Sequence, residues 1–153
     1  VPLIHQGQEW GHSQIIQQTN IVDLNVHKMD PNPYNKDNET NWVNWDDMKQ
    51  NEDLVEFYKE LIKIRKENIS RKKMIYEKVE FFDFENKFCL GFRVDEERIA
   101  FINGDNNNSA EINLPKGSWN LLISTDEMRN DKMKRYEGVI MLKPTSGILL
   151  EQK

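Results

Sequence analysis

Cysteine is nearly absent from this sequence, with Cys89 as the one thiol in 153 residues. A disulfide within the chain is therefore excluded, and packing in a core is the ordinary use of a single thiol. Long apolar runs are absent as well. None approaches the ~18 residues that a membrane-spanning helix needs, so we expect no membrane partner.

An excess of positive charge is also missing. The formal net charge is −5 at pH 7. A protein that binds the phosphate backbone usually carries a basic face, so we expect no nucleic-acid partner. Basic residues gather at 59–73, in KELIKIRKENISRKK, where the solvated face and end of a helix explain them.

The spacing of a metal site is missing too. His5, His12 and His27 lie 7 and 15 residues apart, and no cysteine pair accompanies them, which does not fit a zinc site. The stretch 23–32, DLNVHKMDPN, offers oxygen donors but lacks the order of an EF-hand loop. We predict no metal site and no cofactor for this chain.

The first 47 residues predict one short strand and a long loop. VPLIH at 1–5 is typical of a buried strand, and a glycine-bearing polar turn follows it. Residues 11–47 are rich in Asn, Asp, Gln and Pro, and Pro31 and Pro33 exclude regular helix around them. A loop of this length in a compact domain is more often functional than filler.

An amphipathic helix is predicted over residues 50–67. Leu54, Tyr58, Leu61 and Arg65 follow the spacing of one helix face. Acidic residues open the segment and basic residues close it, as the helix dipole favours. Together with the strand and loop, this helix makes one βα unit.

From about residue 75 the apolar period changes to two. Short runs separated by turn residues, with no helix between them, predict an antiparallel β-sandwich. We therefore predict a mainly β fold, with the sandwich at 71–153. The predicted strands lie in KVEFFDFE, KFCLGFRV, RIAFINGD, AEINLP, WNLLIS, GVIMLK and GILLEQ.

A βα unit with a long loop after its strand is the repeating piece of a (β/α)8 barrel, whose loops at that end build active sites. The loop here is rich in Asn, Asp, Tyr and Trp. Planar amides and carboxylates suit sugar hydroxyls, and aromatic faces suit the apolar side of a pyranose ring. Many polar loops share this composition, so sugar binding is one reading among several.

Three stretches resemble the α-amylase family, glycoside hydrolase family thirteen, and its pullulanase and debranching branch in particular. VPLIHQGQEWGHSQ is similar to the eighth barrel strand of that family, with His12 where Arg is common. NPYNKDNETNWVNWDD resembles the loop that follows, with Pro33 where Ser is common. EFYKELIKIRKEN resembles the last barrel helix.

The resemblance implies that the chain is the carboxyl-terminal portion of a retaining α-glucan hydrolase. Residues 1–70 would be the last strand, loop and helix of an incomplete barrel, followed by the sandwich at 71–153. In this family the catalytic Asp and Glu lie on earlier barrel strands, so no residue of this chain is assigned a catalytic role. We expect the isolated chain to be inactive on starch or pullulan.

The resemblance also implies roles for individual residues. Tyr34, Asn35 and Asp37 are expected to contact glucan, with hydrogen bonding inside the loop as the alternative. Gln8 and Glu9 are expected to support the active site without being catalytic. Trp42 and Trp45 are read as packing residues or sugar platforms, and Trp119 as a core residue or a sugar-stacking one.

The expected partner is an α-glucan polysaccharide, and calcium stays open for the complete enzyme. Surfaces that a barrel would cover, on the helix and the strand, are expected to favour self-association of the isolated chain. Two other functions are weighed: a non-catalytic carbohydrate-binding β-sandwich, and a protein-interaction sandwich unrelated to glycans.

Overall fold

The computed structural model describes residues 3–18, 23–31, 34, 36–72, 79–94, 96–126 and 134–152. The chain divides into two compact units, Val1–Lys59 and Glu60–Lys153. This division falls inside a helix that ends at Lys72. The predicted domain boundary at residue 70 follows the end of that helix and stays a prediction.

The first unit contains no strand in the segment expected to form one. Val1 and Pro2 lie outside the described residues, and residues 3–5 have no regular structure. Leu3 is 96% exposed and Ile4 is 44% exposed. The prediction of a buried strand at 1–5 is therefore wrong for its described residues, because a strand needs a hydrogen-bonding neighbour.

Two helices replace the one that was predicted over 50–67. Helix α1 spans Trp45–Gln50 and helix α2 spans Glu52–Lys72. The side chain of Asn44 caps α1 by accepting a hydrogen bond from the Asp46 N–H at 3.1 Å. Asn51 ends α1, and two acidic residues then open α2 at the positive end of its dipole.

The second unit is an antiparallel β-sandwich, as predicted. A six-stranded sheet has the order β1-β2-β3-β8-β5-β6, and a two-stranded sheet pairs β4 with β7. The period-two pattern located every strand except β6, which lies in a stretch predicted as a turn. The strands are β1 Val79–Phe82, β2 Cys89–Val94, β3 Arg98–Asn103, β4 Ala110–Asn113, β5 Trp119–Ser124, β6 Arg135–Tyr136, β7 Val139–Leu142 and β8 Ser146–Gln152.

Alternate residues of the sandwich strands meet in one hydrophobic core. Phe101, Trp119 and Leu150 are almost fully buried at its centre. Trp119 also donates a hydrogen bond from Nε1 to the Pro115 carbonyl at 2.9 Å. Trp119 is therefore a core residue, and the reading of it as a sugar-stacking residue is excluded.

A buried amide closes one end of the sandwich. Asn103 is fully buried at the end of β3. Its Nδ2 donates to the Asn108 carbonyl at 2.9 Å and to the Lys143 carbonyl at 3.0 Å, while its Oδ1 accepts from the Asp105 N–H at 3.1 Å. One side chain thus orders the loop after β3 and the turn before β8.

Candidate functional site

The polar turn at residues 5–12 is held by its own backbone and by Gln8. The Gln8 Oε1 accepts a hydrogen bond from the His5 N–H at 3.1 Å, and the Gln8 N–H donates to the His5 carbonyl at 3.0 Å. Gly7 has a φ of 89°, and a Cβ there would lie 2.7 Å from the Cβ of His12. Only glycine fits this position without displacing His12.

Trp10 fixes this turn to the helices of the same unit. Its side chain is 3% exposed and its ring lies 5.3 Å from that of Trp45. The Trp10 carbonyl accepts a hydrogen bond from Asn51 Nδ2 at 3.0 Å. The turn that carries Gln8 and Glu9 is therefore attached to the junction of α1 and α2.

A buried ion pair supports the loop that follows. The Asp30 side chain is 3% exposed, and its two oxygens accept hydrogen bonds from Lys36 Nζ at 2.7 and 2.8 Å. Asn41 Nδ2 lies 3.4 Å from the same carboxylate. The Asp30 N–H donates to the Gln14 carbonyl at 2.8 Å. Asp30 thus joins two stretches that are distant in sequence.

The expected glucan-contact residues lie on different clefts. Tyr34 is 81% exposed and lines a first cleft of about 410 Å³. Asp37 lines a second cleft of about 480 Å³ together with Trp42, and it accepts a hydrogen bond from Trp42 Nε1 at 2.6 Å. Asn35 lies outside the described residues. The described structure thus does not bring Tyr34 and Asp37 to one cleft.

The first cleft contains buried polar atoms without hydrogen-bond partners among the described residues. The His12 side chain is 6% exposed, and neither of its ring nitrogens has a partner. Its Nδ1 lies 3.8 Å from an Asp47 oxygen, beyond hydrogen-bond distance. Asn41 Oδ1 is also buried and unpaired. The cleft is lined by His5, Gln6, His12, Gln14, Tyr34, Lys36, Asn41 and Val43.

Both tryptophans of the loop region are largely exposed. Trp42 is 56% exposed and Trp45 is 59% exposed. Trp45 nevertheless packs one side against Trp10, whereas Trp42 is held in orientation by Asp37. An exposed indole with a fixed orientation is a surface on which a sugar ring can stack.

Glu9 differs from its neighbour Gln8 in having an unpaired buried oxygen, Oε2. The expected supporting role of Glu9 stays a prediction, whereas Gln8 makes the hydrogen bonds of such a role. Asp30, Lys36 and Asn41 were not among the expected site residues. Their spacing carries no periodic signal, because the ion pair depends on the path of the loop.

Metal and thiol chemistry find little support in the described part of the chain. It contains no group of three His, Cys, Asp or Glu residues that could hold a metal ion. In the stretch considered for calcium, Lys36 already neutralises the carboxylate of Asp30. Burial, and secondly the charge of Asp105, raise the pKa of the Cys89 thiol, which disfavours its thiolate form. No helix in the described residues is long and apolar enough to cross a bilayer.

No protein-family profile matches the sequence. Among solved structures, the chain is similar to a pullulanase from an Anoxybacillus species in complex with maltotetraose, at a TM-score of 0.69, 18% identity and 100% coverage of this chain. It is similar to a type I pullulanase from Bacillus subtilis in complex with maltose, at 0.69, 19% and 99% coverage. An isomaltulose synthase from Klebsiella matches at 0.55 and 14% over 86% of the chain.

The matched part is a minor fraction of each of those proteins. The chain spans 21% of the length of each of the two pullulanases and 24% of the synthase. Identities this low report on fold. The likeness to pullulanases and to other α-amylase-family enzymes that the three sequence stretches indicated is thereby confirmed in the fold, along the whole of this chain.

Proposed function

We propose that this chain is the carboxyl-terminal part of a retaining α-glucan hydrolase of the pullulanase type. The observation that carries the proposal is the fold match over the full chain, combined with the family motifs around Gln8 and Tyr34. The motifs and the fold were read independently, and both point to the same family.

Within the longer enzyme, residues 1–70 would complete the barrel. Leu3 and Ile4 are exposed apolar side chains in a segment without strand pairing. Neighbouring barrel strands would supply the hydrogen bonds and cover these side chains. The sandwich would add stability through its own core, which needs no partner to form.

The loop of the first unit would face the glucan. The Tyr34 ring and the Trp42 indole provide apolar faces for pyranose rings. The carboxylate of Asp37 provides a hydroxyl acceptor whose position is fixed by Trp42. The unpaired His12 nitrogens and Asn41 carbonyl oxygen add a donor and acceptors that sugar hydroxyls can satisfy. Asn35 would contribute beside them.

The chain by itself would not catalyse hydrolysis. Retention needs two carboxyl groups about 5–5.5 Å apart across the scissile bond, and the family motifs that carry them match no stretch of this sequence. Purified 1–153 should release no reducing sugar from pullulan or amylopectin. Turnover that copurifies with the chain and disappears on its removal would overturn this part of the proposal.

Backbone NMR titration with maltotetraose tests the proposed glucan contact. We expect weak binding, with a Kd of about 1 mM, and shifts centred on residues 34–42. Asp37→Ala should reduce these shifts, whereas Asp53→Ala, which removes an exposed carboxylate from the first turn of α2, should leave them unchanged.

Two other outcomes of this titration count against the proposal. Shifts confined to 79–152 would favour the alternative of a carbohydrate-binding sandwich. An absence of shifts at saturating maltotetraose would remove the glucan-contact role and leave the first unit with a structural one.

A further inference from the structure

The six-stranded sheet presents an apolar surface to solvent at its β1–β3 end. Strand register places eight residues on the side of these strands that faces away from the core. Seven of the eight are apolar. This surface, the outer apolar face, consists of Val79, Phe81, Leu90, Phe92, Val94, Ala100 and Ile102, with Arg98 as the eighth residue.

The direction of these side chains follows from contacts on both sides of the sheet. A Cβ added at Gly91 would lie 2.5 Å from the Phe101 ring in the core, so its strand neighbours Leu90 and Phe92 point the other way. The Phe81 and Phe92 rings lie 6.2 Å apart on the outer side. The outer apolar face is therefore one continuous surface across three strands.

Much of this surface is in contact with water. Phe81 is 68% exposed, Val79 46%, and Leu90 and Ile102 45% each. An antiparallel sheet with one solvated side normally alternates apolar and polar residues. Strand β2 instead carries apolar residues on its outer side, which is the pattern of a strand covered on both faces.

The charges at the border of this face are already paired. Arg98 Nε and Nη2 donate to Glu151 Oε1 at 2.9 and 2.7 Å. These two residues lie opposite each other on β3 and β8. A second identical surface could therefore approach without bringing uncompensated like charges together.

The other end of the outer side is bordered by helix α2. Glu60, Lys63 and Ile64 of α2 line a cleft of about 290 Å³ with Asn120 and Leu122 of β5. The β1–β3 end lies beyond this cleft and its large apolar side chains remain exposed. A flat partner can reach this end of the sheet.

We propose that the outer apolar face is a homodimer interface, and that its occupant is the same face of a second copy. Two copies related by a two-fold axis would pack sheet against sheet in an isologous contact. The shape argument is direct, because a flat apolar sheet face is complementary to itself.

The area is sufficient for a specific dimer. The exposed parts of these side chains amount to about 400 Å² per copy, or about 800 Å² for two. An interface core is about 60% apolar, so the whole contact would bury roughly 1,300 Å², within the size range of stable interfaces. The inference uses only residues of the sandwich, so it stands or falls independently of the proposed glucan function.

Sedimentation velocity and light scattering on purified 1–153, from about 1 to 100 μM, test the proposal. We expect a concentration-dependent species of twice the chain mass of 18.2 kDa. The double variant Phe81→Glu/Leu90→Glu places two charges in the contact and should raise the dimer Kd roughly 100-fold, at about tenfold or more for each buried charge.

The matched control is Val139→Glu/Met141→Glu. These residues lie on the two-stranded sheet and are 54% and 60% exposed, so the control adds the same charge to a similar apolar surface elsewhere. It should dimerise like the wild type. Circular dichroism melting of both variants checks that each is folded.

Three results would overturn the proposal. A wild-type chain that stays monomeric at 100 μM shows that the face is not a self-association surface. A control variant that loses the dimer as the first variant does shows that added charge alone prevents association. A dimer that survives in a folded Phe81→Glu/Leu90→Glu variant places the interface elsewhere.

Discussion

The sandwich and the first unit use their apolar residues in opposite ways. In the sandwich, Phe101, Trp119 and Leu150 are almost fully buried, and the amide of Asn103 makes its hydrogen bonds within the fold. In the described part of the first unit, the buried apolar side chains are Trp10 and Val55. Leu3 and Trp42 are exposed there.

Polar groups show the same contrast. The first unit leaves His12 nitrogens and the Asn41 carbonyl oxygen buried without partners, although unpaired buried polar atoms cost about 1–3 kcal/mol each. Such atoms are retained where a ligand or a further segment satisfies them. The sandwich is thus a self-sufficient domain, and the first unit is organised around what binds to it.

The largest effect should follow from removing the centre of the sandwich core. Phe101→Ala removes a ring that contacts Phe82 at 5.1 Å and Phe84 at 6.2 Å between ring centres. We expect a loss of about 3–5 kcal/mol in the free energy of unfolding, measured by urea denaturation. Val139→Ala, at an exposed position, should change it by less than about 0.5 kcal/mol. Similar losses for both would contradict the assigned core.

A smaller effect should follow from removing the buried amide. Asn103→Ala leaves the carbonyls of Asn108 and Lys143 without their donor and opens a cavity. The expected loss is roughly 2–4 kcal/mol, with faster amide exchange in the loop after β3. Asn113→Ala, on the exposed side of β4, is the control and should be near neutral. A neutral Asn103→Ala would show that the loop is ordered by other contacts.

A local effect is expected in the first unit. Lys36→Met removes the cation from Asp30, whose side chain is 3% exposed, and leaves a buried carboxylate unpaired. We expect about 1–3 kcal/mol of local destabilisation, seen as faster amide exchange at 14–16 and 36–42. Lys49→Met, in an exposed pair with Asp46, should leave exchange unchanged. A global loss that includes the sandwich strands would contradict the independence of the two regions.

The smallest effect concerns Asp105. Hydrogen bonds from the Asn107 N–H, the Asn108 side chain and the Asn108 N–H hold the pKa of its carboxyl below the ordinary value of 3.8. Because the folded pKa is depressed, Asp105 stabilises the fold above pH 3.8, and this contribution is lost as the pH falls through the folded value. The difference in Tm between the wild type and Asp105→Ala should therefore shrink below pH 3.8. A constant difference from pH 6 to pH 2.5 would exclude this linkage.

Most of the sandwich could be predicted from the sequence because a period of two marks strands whose partners lie in the same chain. β6 escaped because two residues are too few for any period. The strand at 1–5 was predicted from its apolar residues, but periodicity reports the tendency to be buried and does not reveal whether a pairing strand exists.

The site was only partly predictable. Tyr34 and Asp37 came from family motifs, and the structure shows that Asp37 is fixed by Trp42. The Asp30–Lys36 pair was missed because it depends on how the loop folds back. The outer apolar face had a signal in KFCLGFRV, where apolar residues occupy both strand faces.

Hydrogen–deuterium exchange of 1–153, with and without maltotetraose, tests the account most directly. It predicts strong protection of β2, β3, β5 and β8 that maltotetraose does not change. Amides of residues 3–18 and 36–42 should exchange faster and gain protection when the glucan is added. Equal protection of both regions without the glucan, or a gain confined to the sandwich strands, would contradict the division of roles between them.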